Sequence, residues 1–194
     1  MTIEEMKAQL SQHLSKKRFI HTLGVVDAAV ELAEQYGADI EKAKLAALIH
    51  DSAKEYKLKD MQAVVESKGL AVDSMMRNSG ALLHGLAGMI VAEQDYGVID
   101  PEVLEAIRVH TTGKPHMSKL DKIVFLADYI EVNRDFPGVE ALRDLAKENL
   151  NQAVLLGYDN TIQFLLDSKA TIYTLTIEGR NALIEEIQAN SREK

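Results

Sequence analysis

Three prolines, at positions 101, 115 and 137, are all that interrupt a 194-residue chain whose apolar side chains recur at three- and four-residue spacing. Alternating apolar and polar stretches are nearly absent, so the pattern predicts an all-α fold. Local signals cut the periodicity into helices. Thr2 and Glu5 have the spacing of a capping box, opening a first helix along Ile3, Met6 and Leu10. A second helix is expected from about Ser15 to Tyr36 with Gly37 just past its end, and Asp39 caps a third that ends near His50. Gly80 to Tyr96 reads as another, closed by Gly97. Asp100-Pro101-Glu102 joins an N-cap acid, a proline at the first helical position and a first-turn acid; Thr111-Thr112-Gly113 ends that helix. Ser118 and Asp121 cap the helix that carries Asp128 to about Glu131, and Asn133 to Gly138 reads as a loop. Helix resumes from about Val139 to Ala189, leaving a frayed tail from Asn190. Leu58 to Ser79 suggests a short helix and then an irregular segment.

Hydrophobic residues make up 46% of the chain, enough for a core. The expectation is one domain over residues 1–194, with a core of about residues 15–135 and helices of about 139–189 packed on it. No apolar run approaches the roughly 20 residues that span a bilayer. The segment Met1 to Phe19 lacks a signal peptide's apolar region and carries acids early, which predicts a cytoplasmic chain without a membrane partner. With 22 basic and 30 acidic residues the net charge is −8, a surface that repels nucleic-acid backbones; a small anion still binds where basic residues line one pocket. There is no cysteine, which excludes disulfides, thiolate metal sites and cysteine nucleophiles. Any metal must rest on His, Asp, Glu or carbonyl oxygen.

Of six histidines, His21, His50, His84 and His110 lie within or at the ends of predicted helices among apolar residues, whereas His13 and His116 sit among polar neighbours. His50-Asp51 follows the apolar run Leu45 to Ile49, and Asp128 is embedded in Phe125 to Ile130. Burying either carboxylate unpaired is costly, and a cation removes the cost. A lone His-Asp dipeptide reads equally as a helix-terminal histidine beside a solvated acid. Adjacent helical residues diverge by about 100°, so both reach one ion only if the helix is interrupted there or the ion sits near its end. His21, His50, Asp51 and Asp128 together offer two imidazoles and two carboxylates, a set suited to hard or borderline metals.

That order, H…HD…D, resembles the HD-domain phosphohydrolase superfamily. Arg18 to Thr22, Leu48 to Tyr56, His84-Gly85, His110 to Gly113, Ala127 to Glu131 and Asn133 to Val139 together are similar to its YqeK branch, over roughly residues 10–180. Ser52 departs from it, standing where an aliphatic residue is expected. The resemblance implies an HD-domain helical bundle with a C-terminal helical extension and a bis(5'-nucleosyl)-tetraphosphatase that cuts diadenosine tetraphosphate symmetrically into two ADP. It implies metal at His21, His50, Asp51 and Asp128, with iron expected, Mn, Co, Ni or Zn admitted, and one ion favoured over two. It also implies catalytic roles for Asp51, which could orient the attacking water, and for His84 and His110, as phosphate contacts and acid to the leaving ADP or as ligands of a second ion.

Arg18 precedes His21 by three residues and shares its helix face; Lys54 follows Asp51 by three; Arg134 opens the loop after the Asp128 helix. Each is placed to neutralise a polyphosphate or, alternatively, is a solvated cation. Thr111 and its neighbours would offer hydroxyl and N–H donors, or simply end a helix. The loop through Asp135, Phe136, Gly138 and Val139 would cover the nucleoside, and Tyr173 would stack on the base or belong to the core. The bland readings are that Gly24 permits close helix packing and that Glu185-Glu186 form a solvated face. The resemblance implies a small nucleotide partner, a dinucleoside polyphosphate with ADP as product, and a homodimer would fit. Two alternatives stand beside this: the same site acting on a deoxynucleotide or cyclic dinucleotide, and a non-catalytic nucleotide-binding regulatory module.

Overall fold

The computed structural model describes residues 1–192. Among them there is no strand, and eleven helices follow in order: α1 (Ile3–His13), α2 (Lys16–Tyr36), α3 (Ile40–Ile49), α4 (Leu58–Ser67), α5 (Ser74–Arg77), α6 (Gly80–Tyr96), α7 (Pro101–Val109), α8 (Lys119–Ile130), α9 (Val139–Glu148), α10 (Leu150–Asp167) and α11 (Thr174–Arg192).

The helices begin where side chains satisfy free N–H groups. Thr2 Oγ1 accepts from the Glu5 N–H at 3.2 Å while the Glu5 carboxylate accepts from the Thr2 N–H at 2.7 Å. Ser118 and Asp121 repeat this at the start of α8, at 3.1 and 2.9 Å. Asp39 and Asp100 cap α3 and α7. The helical stretch expected over 139–189 is divided into three helices. Asn149, in extended conformation, caps α10 through its side chain, and α10 and α11 are separated by a turn at Ser168–Lys169 and a short irregular link, Lys169 having a positive φ of 53°. The helix expected to fray from Asn190 continues to Arg192, and the remainder of that expected tail, residues 193–194, lies outside the described residues.

α2 packs on α3 and α8, α7 on α3, α6 and α8, and α4 on α6. Small side chains draw these helices together. Ala43, Ala46 and Ala47 are buried along α3 ahead of the buried Leu48 and Ile49. A Cβ on Gly85 would stand 2.7 Å from the Arg108 carbonyl oxygen, so only glycine lets α6 approach α7 closely enough to set His84 beside His110. Next to it the α7 exit turns at Gly113, which has φ +62° and leaves room for the buried Tyr158 of α10. α10 packs on α8, with Phe125 and Tyr158 rings 4.9 Å apart, and α11 packs on α10. Glu186 is not the solvated acid expected: it accepts from the buried Lys122 ammonium at 2.7 and 2.9 Å, because a buried amine demands a counter-charge. No described helix is long and apolar enough to cross a membrane.

The turn between α7 and α8 is pinned by Glu105, which accepts from Arg108 at 2.7 Å twice and from Lys114 at 2.7 Å. Arg108 above all, with Lys114, pulls the Glu105 carboxyl down from 4.5 to about 2. A depressed carboxyl stabilises the fold above its unfolded value and loses that contribution as pH falls toward its folded value. Glu105→Gln should therefore lower stability by about 1 kcal/mol at pH 7, after allowance for solvent screening. The gap to wild type should narrow in denaturant melts as pH falls through 4.5 toward 2. An equal gap at pH 7 and pH 3 would contradict the assignment.

Candidate metal centre and cleft

Five helices deliver six groups to one point. His21 comes from the second turn of α2, His84 from α6 and Asp128 from α8; His50 and His110 are the residues at which α3 and α7 end. The HD pair works because α3 stops at Ile49. Beyond it the Ser52, Lys54 and Tyr56 N–H groups donate to carbonyls three residues back, at 2.9, 2.9 and 3.1 Å. This tighter winding takes Asp51 off the α-helical course that would have turned it away from His50.

The imidazoles are oriented from behind. His50 Nδ1 lies 2.6 Å from the Ala47 carbonyl, His84 Nδ1 3.1 Å from that of Gly80, and His110 Nδ1 2.7 Å from that of Ile107. His21 Nδ1 lies 3.1 Å from the Glu131 carboxylate. A carbonyl or carboxylate oxygen only accepts, so each Nδ1 carries a proton, and in the neutral ring each Nε2 presents a lone pair inward. Asp51 stands between them at 2% exposure. Its Oδ2 lies 3.7 Å from His21 Nε2 and 3.4 Å from His50 Nε2, while Oδ1 lies 3.4 Å from His84 Nε2 and 3.6 Å from His110 Nε2. Asp128 Oδ1 is 2.9 Å from His21 Nε2 and 4.0 Å from His50 Nε2.

Three of these buried atoms, His21 Nε2, His50 Nε2 and Asp51 Oδ1, have no hydrogen-bond partner. His21 Nε2 and Asp128 Oδ1, 2.9 Å apart, stand side by side facing the same point. Buried, unpartnered donors of this kind fit a cation between them, and His21, His50 and Asp51 each offer an atom within 4.8 Å of the others. Burial opposes ionisation of Asp51, yet His50, His110 and His84 outweigh it and hold its carboxyl well below the usual range. Asp128 is lowered in the same way, against its burial, by His21, His50 and Arg134. Burial likewise disfavours charge on His50, but Asp51 and then Asp128 reverse it and raise its pKa. The two carboxylates demand positive charge at the His50 position. His84 goes the other way: burial first, then His110 and Lys54, push it down to about 4, so it is neutral at pH 7.

Cations ring this cluster. Arg18 donates to Asp51 Oδ2 at 2.9 Å; Lys54 Nζ is 3.2 Å from His84 Nε2; Thr111 Oγ1 is 3.0 Å from His84 Nε2 and 3.1 Å from His110 Nε2. Arg134 donates to the Asp128 backbone carbonyl at 2.7 Å and also to its carboxylate. An open cleft of about 930 Å³ leads from His21, walled by Arg18 on one side and by Arg134, Asp135 and Phe136 on the other. Gly138 and Val139 do not line it: Gly138 precedes α9 at φ +92° and the Val139 side chain is buried. Tyr173 also lies elsewhere, donating to Asp73 Oδ2 at 2.6 Å beside a separate small pocket.

Four participants escape sequence reasoning. Lys16 and Lys17 line the cleft, and their position one turn before His21 on α2 was the available signal. Glu131, the residue at which α8 ends, follows Asp128 by three, a spacing that places it near a candidate ligand but does not show that it meets His21. Arg143 had no signal: it donates to the Ile130, Glu131 and Arg134 carbonyls at 2.9, 2.7 and 2.9 Å, pinning the loop after α8 from a different helix.

A family model described as "HD domain" matches residues 18–133. A Halalkalibacterium halodurans protein named "Bis(5'-nucleosyl)-tetraphosphatase, symmetrical" is 45% identical over 174 residues, covering 90% of this chain and 92% of its own. A Bacillus subtilis protein of the same name is 39% identical, covering 95% and 98%. A Clostridium acetobutylicum crystal structure, titled as a predicted HD superfamily hydrolase involved in NAD metabolism, superposes with a TM-score of 0.93 at 43% identity, over 96% of this chain and 98% of that one.

His50→Ala and Asp51→Asn should each abolish metal retention while leaving helical circular dichroism near wild type. Elemental analysis of the purified variants checks this, and stoichiometric metal in either would refute the ligand assignment.

Proposed function

The chain belongs to the HD-domain family, and on that footing we propose that it is a metal-dependent hydrolase that cleaves diadenosine tetraphosphate at the centre of its phosphate chain, releasing two ADP. The observation that carries this reading is the set of unpartnered buried atoms, His21 Nε2, His50 Nε2 and Asp51 Oδ1, with His21 also lining a cleft that presents Arg18 and Arg134. The substrate is taken from the names of relatives that match the chain over nearly all of its length.

In this reading one ion, iron as the resemblance implies, would be held by His21, His50, Asp51 and Asp128. When bound, such an ion supplies Lewis-acid polarisation of a phosphoryl oxygen and makes hydroxide available near neutral pH. A second ion at Asp51, His84 and His110 is disfavoured by the Lys54 ammonium, 3.2 Å from His84 Nε2. Water adds across one central P–O bond: one ADP keeps the water's oxygen, and the other departs as an oxyanion that takes up a proton. Phosphoryl transfer of this kind depends mainly on positioning and charge neutralisation. Arg18 and Lys54 offset charge next to Asp51 and His84. Arg134 holds Asp128 at both its carbonyl and its carboxylate. Thr111 has one hydroxyl proton to direct at His84, His110 or a phosphate oxygen. Neutral His84, its Nδ1 proton committed to Gly80, receives a hydrogen bond rather than giving one.

Arg18 and Arg134 are already matched to Asp51 and Asp128, so much of the tetraphosphate charge must be met elsewhere in the cleft. Among the described residues Lys16 and Lys17 make no ion pair, and they line the same wall. They supply that charge in a protein of net charge −8.

Chromatography of the products tests the reaction. Metal-loaded protein should convert diadenosine tetraphosphate to ADP alone, and AMP with ATP would rule out symmetrical cleavage. Replacing Lys16 and Lys17 together by Ala should raise KM for the tetraphosphate about three- to tenfold, with metal content unchanged. An unchanged KM would remove them from the substrate path.

A further inference from the structure

We propose that Glu131 is the positioning residue of the metal centre: by accepting from His21 Nδ1 it fixes which ring nitrogen carries the proton and keeps Nε2 free as a ligand. This rests on the metal-centre reading above. His21 differs from the other three imidazoles, whose Nδ1 protons go to backbone carbonyls on their own helices. On α2 its Nδ1 instead meets a carboxylate 110 residues away in sequence, at 3.1 Å.

The carboxylate is held for the purpose. Glu131 is 2% exposed, and no lysine or arginine among the described residues pairs with its side chain. Oε1 faces His21, while Oε2 accepts from the Asn133 N–H at 2.7 Å and from Asn133 Nδ2 at 2.9 Å. Arg143 fixes the backbone, donating to the Glu131 carbonyl at 2.7 Å. Gly24, one turn along α2 from His21, supplies the space: a Cβ there would stand 2.3 Å from Glu131 Oε2. The close approach that Gly24 permits is therefore to this carboxylate.

All the donors around Glu131 require acceptors, and a carboxylate has two. Glutamine keeps the size but offers one acceptor and one donor. With its oxygen toward the two Asn133 donors, its amide donates to His21 Nδ1; the ring proton then moves to Nε2 and blocks the ligand position. With its oxygen toward His21, its amide faces the Asn133 donors without an acceptor. Either arrangement weakens the centre, and such outer partners of metal-bound histidines are typically worth ten- to a hundredfold in metal affinity.

The test measures ring tautomers and metal affinity in wild type, Glu131→Gln and Gly24→Ala. Long-range ¹H–¹⁵N correlation spectra of metal-free, histidine-labelled protein should show His21 protonated at Nδ1 in wild type and at Nε2 in a detectable fraction of Glu131→Gln. The Kd for Mn²⁺ should rise ten- to a hundredfold in Glu131→Gln. It should also rise in Gly24→Ala, which displaces the carboxylate while leaving its chemistry intact. If Glu131→Gln keeps the Nδ1 proton and the wild-type Mn²⁺ affinity, Glu131 is merely structural, even should Tm fall, and the proposal is overturned. If wild type binds no Mn²⁺, the metal-centre reading fails instead, and the tautomer spectra alone still decide the role of Glu131.

Discussion

Two carboxylates, Asp51 and Asp128, are held among imidazoles at the meeting point of five helices, and their charge organises the structure around it. A buried carboxylate without compensation costs several kcal/mol, more than most packing contacts return. The fold answers with inward-facing lone pairs arranged to share a cation with the carboxylates, and with Arg18 and Arg134 at the rim. Helix ends make this arrangement straightforward. The last four carbonyls of a helix lack intrahelical partners, so His50 and His110, placed where α3 and α7 stop, find acceptors for their Nδ1 protons at Ala47 and Ile107. Each helix end is satisfied by the side chain it orients.

The same economy links the centre to the cleft. α2 carries His21 and, one turn earlier, the basic wall of Lys16, Lys17 and Arg18. Its cap residue Ser15 donates its N–H and hydroxyl to Glu55, at 2.6 and 2.7 Å, tying the start of α2 to the turn that holds Asp51. On the other side Arg134 bonds Asp128 and Asn133 bonds Glu131, so the loop after α8 is anchored to the groups around the proposed ion.

Much of this was legible from residue order. The capping boxes at Thr2 and Ser118, the acids at Asp39 and Asp100 and the glycines at 37 and 97 are local chemistry, and each helix boundary they imply is present within a residue or two. His21, His50, Asp51, His84, His110 and Asp128 stood out because polar groups within apolar helical stripes need a reason. Less legible was the C-terminal third, where a capping asparagine at 149 divides what reads as continuous periodicity. Glu186 looked solvated because nothing local shows that Lys122, far away in sequence, is buried beside it.

The sequence by itself determined the all-helical class, most helix ends up to Glu131 and the candidate ligands, because caps, glycines and apolar periodicity act over three or four residues. It could not determine that Asp51 leaves α3 on a tighter turn, that Glu131 stands behind His21, or that Tyr173 bonds Asp73 away from the cleft. Those relations depend on how closely helices approach, and that distance is settled by side chains far apart in the chain, such as Gly24 against Glu131 and Gly85 against the Arg108 carbonyl. A missing Cβ is visible in a sequence; what fills its space is known only once the helices have packed.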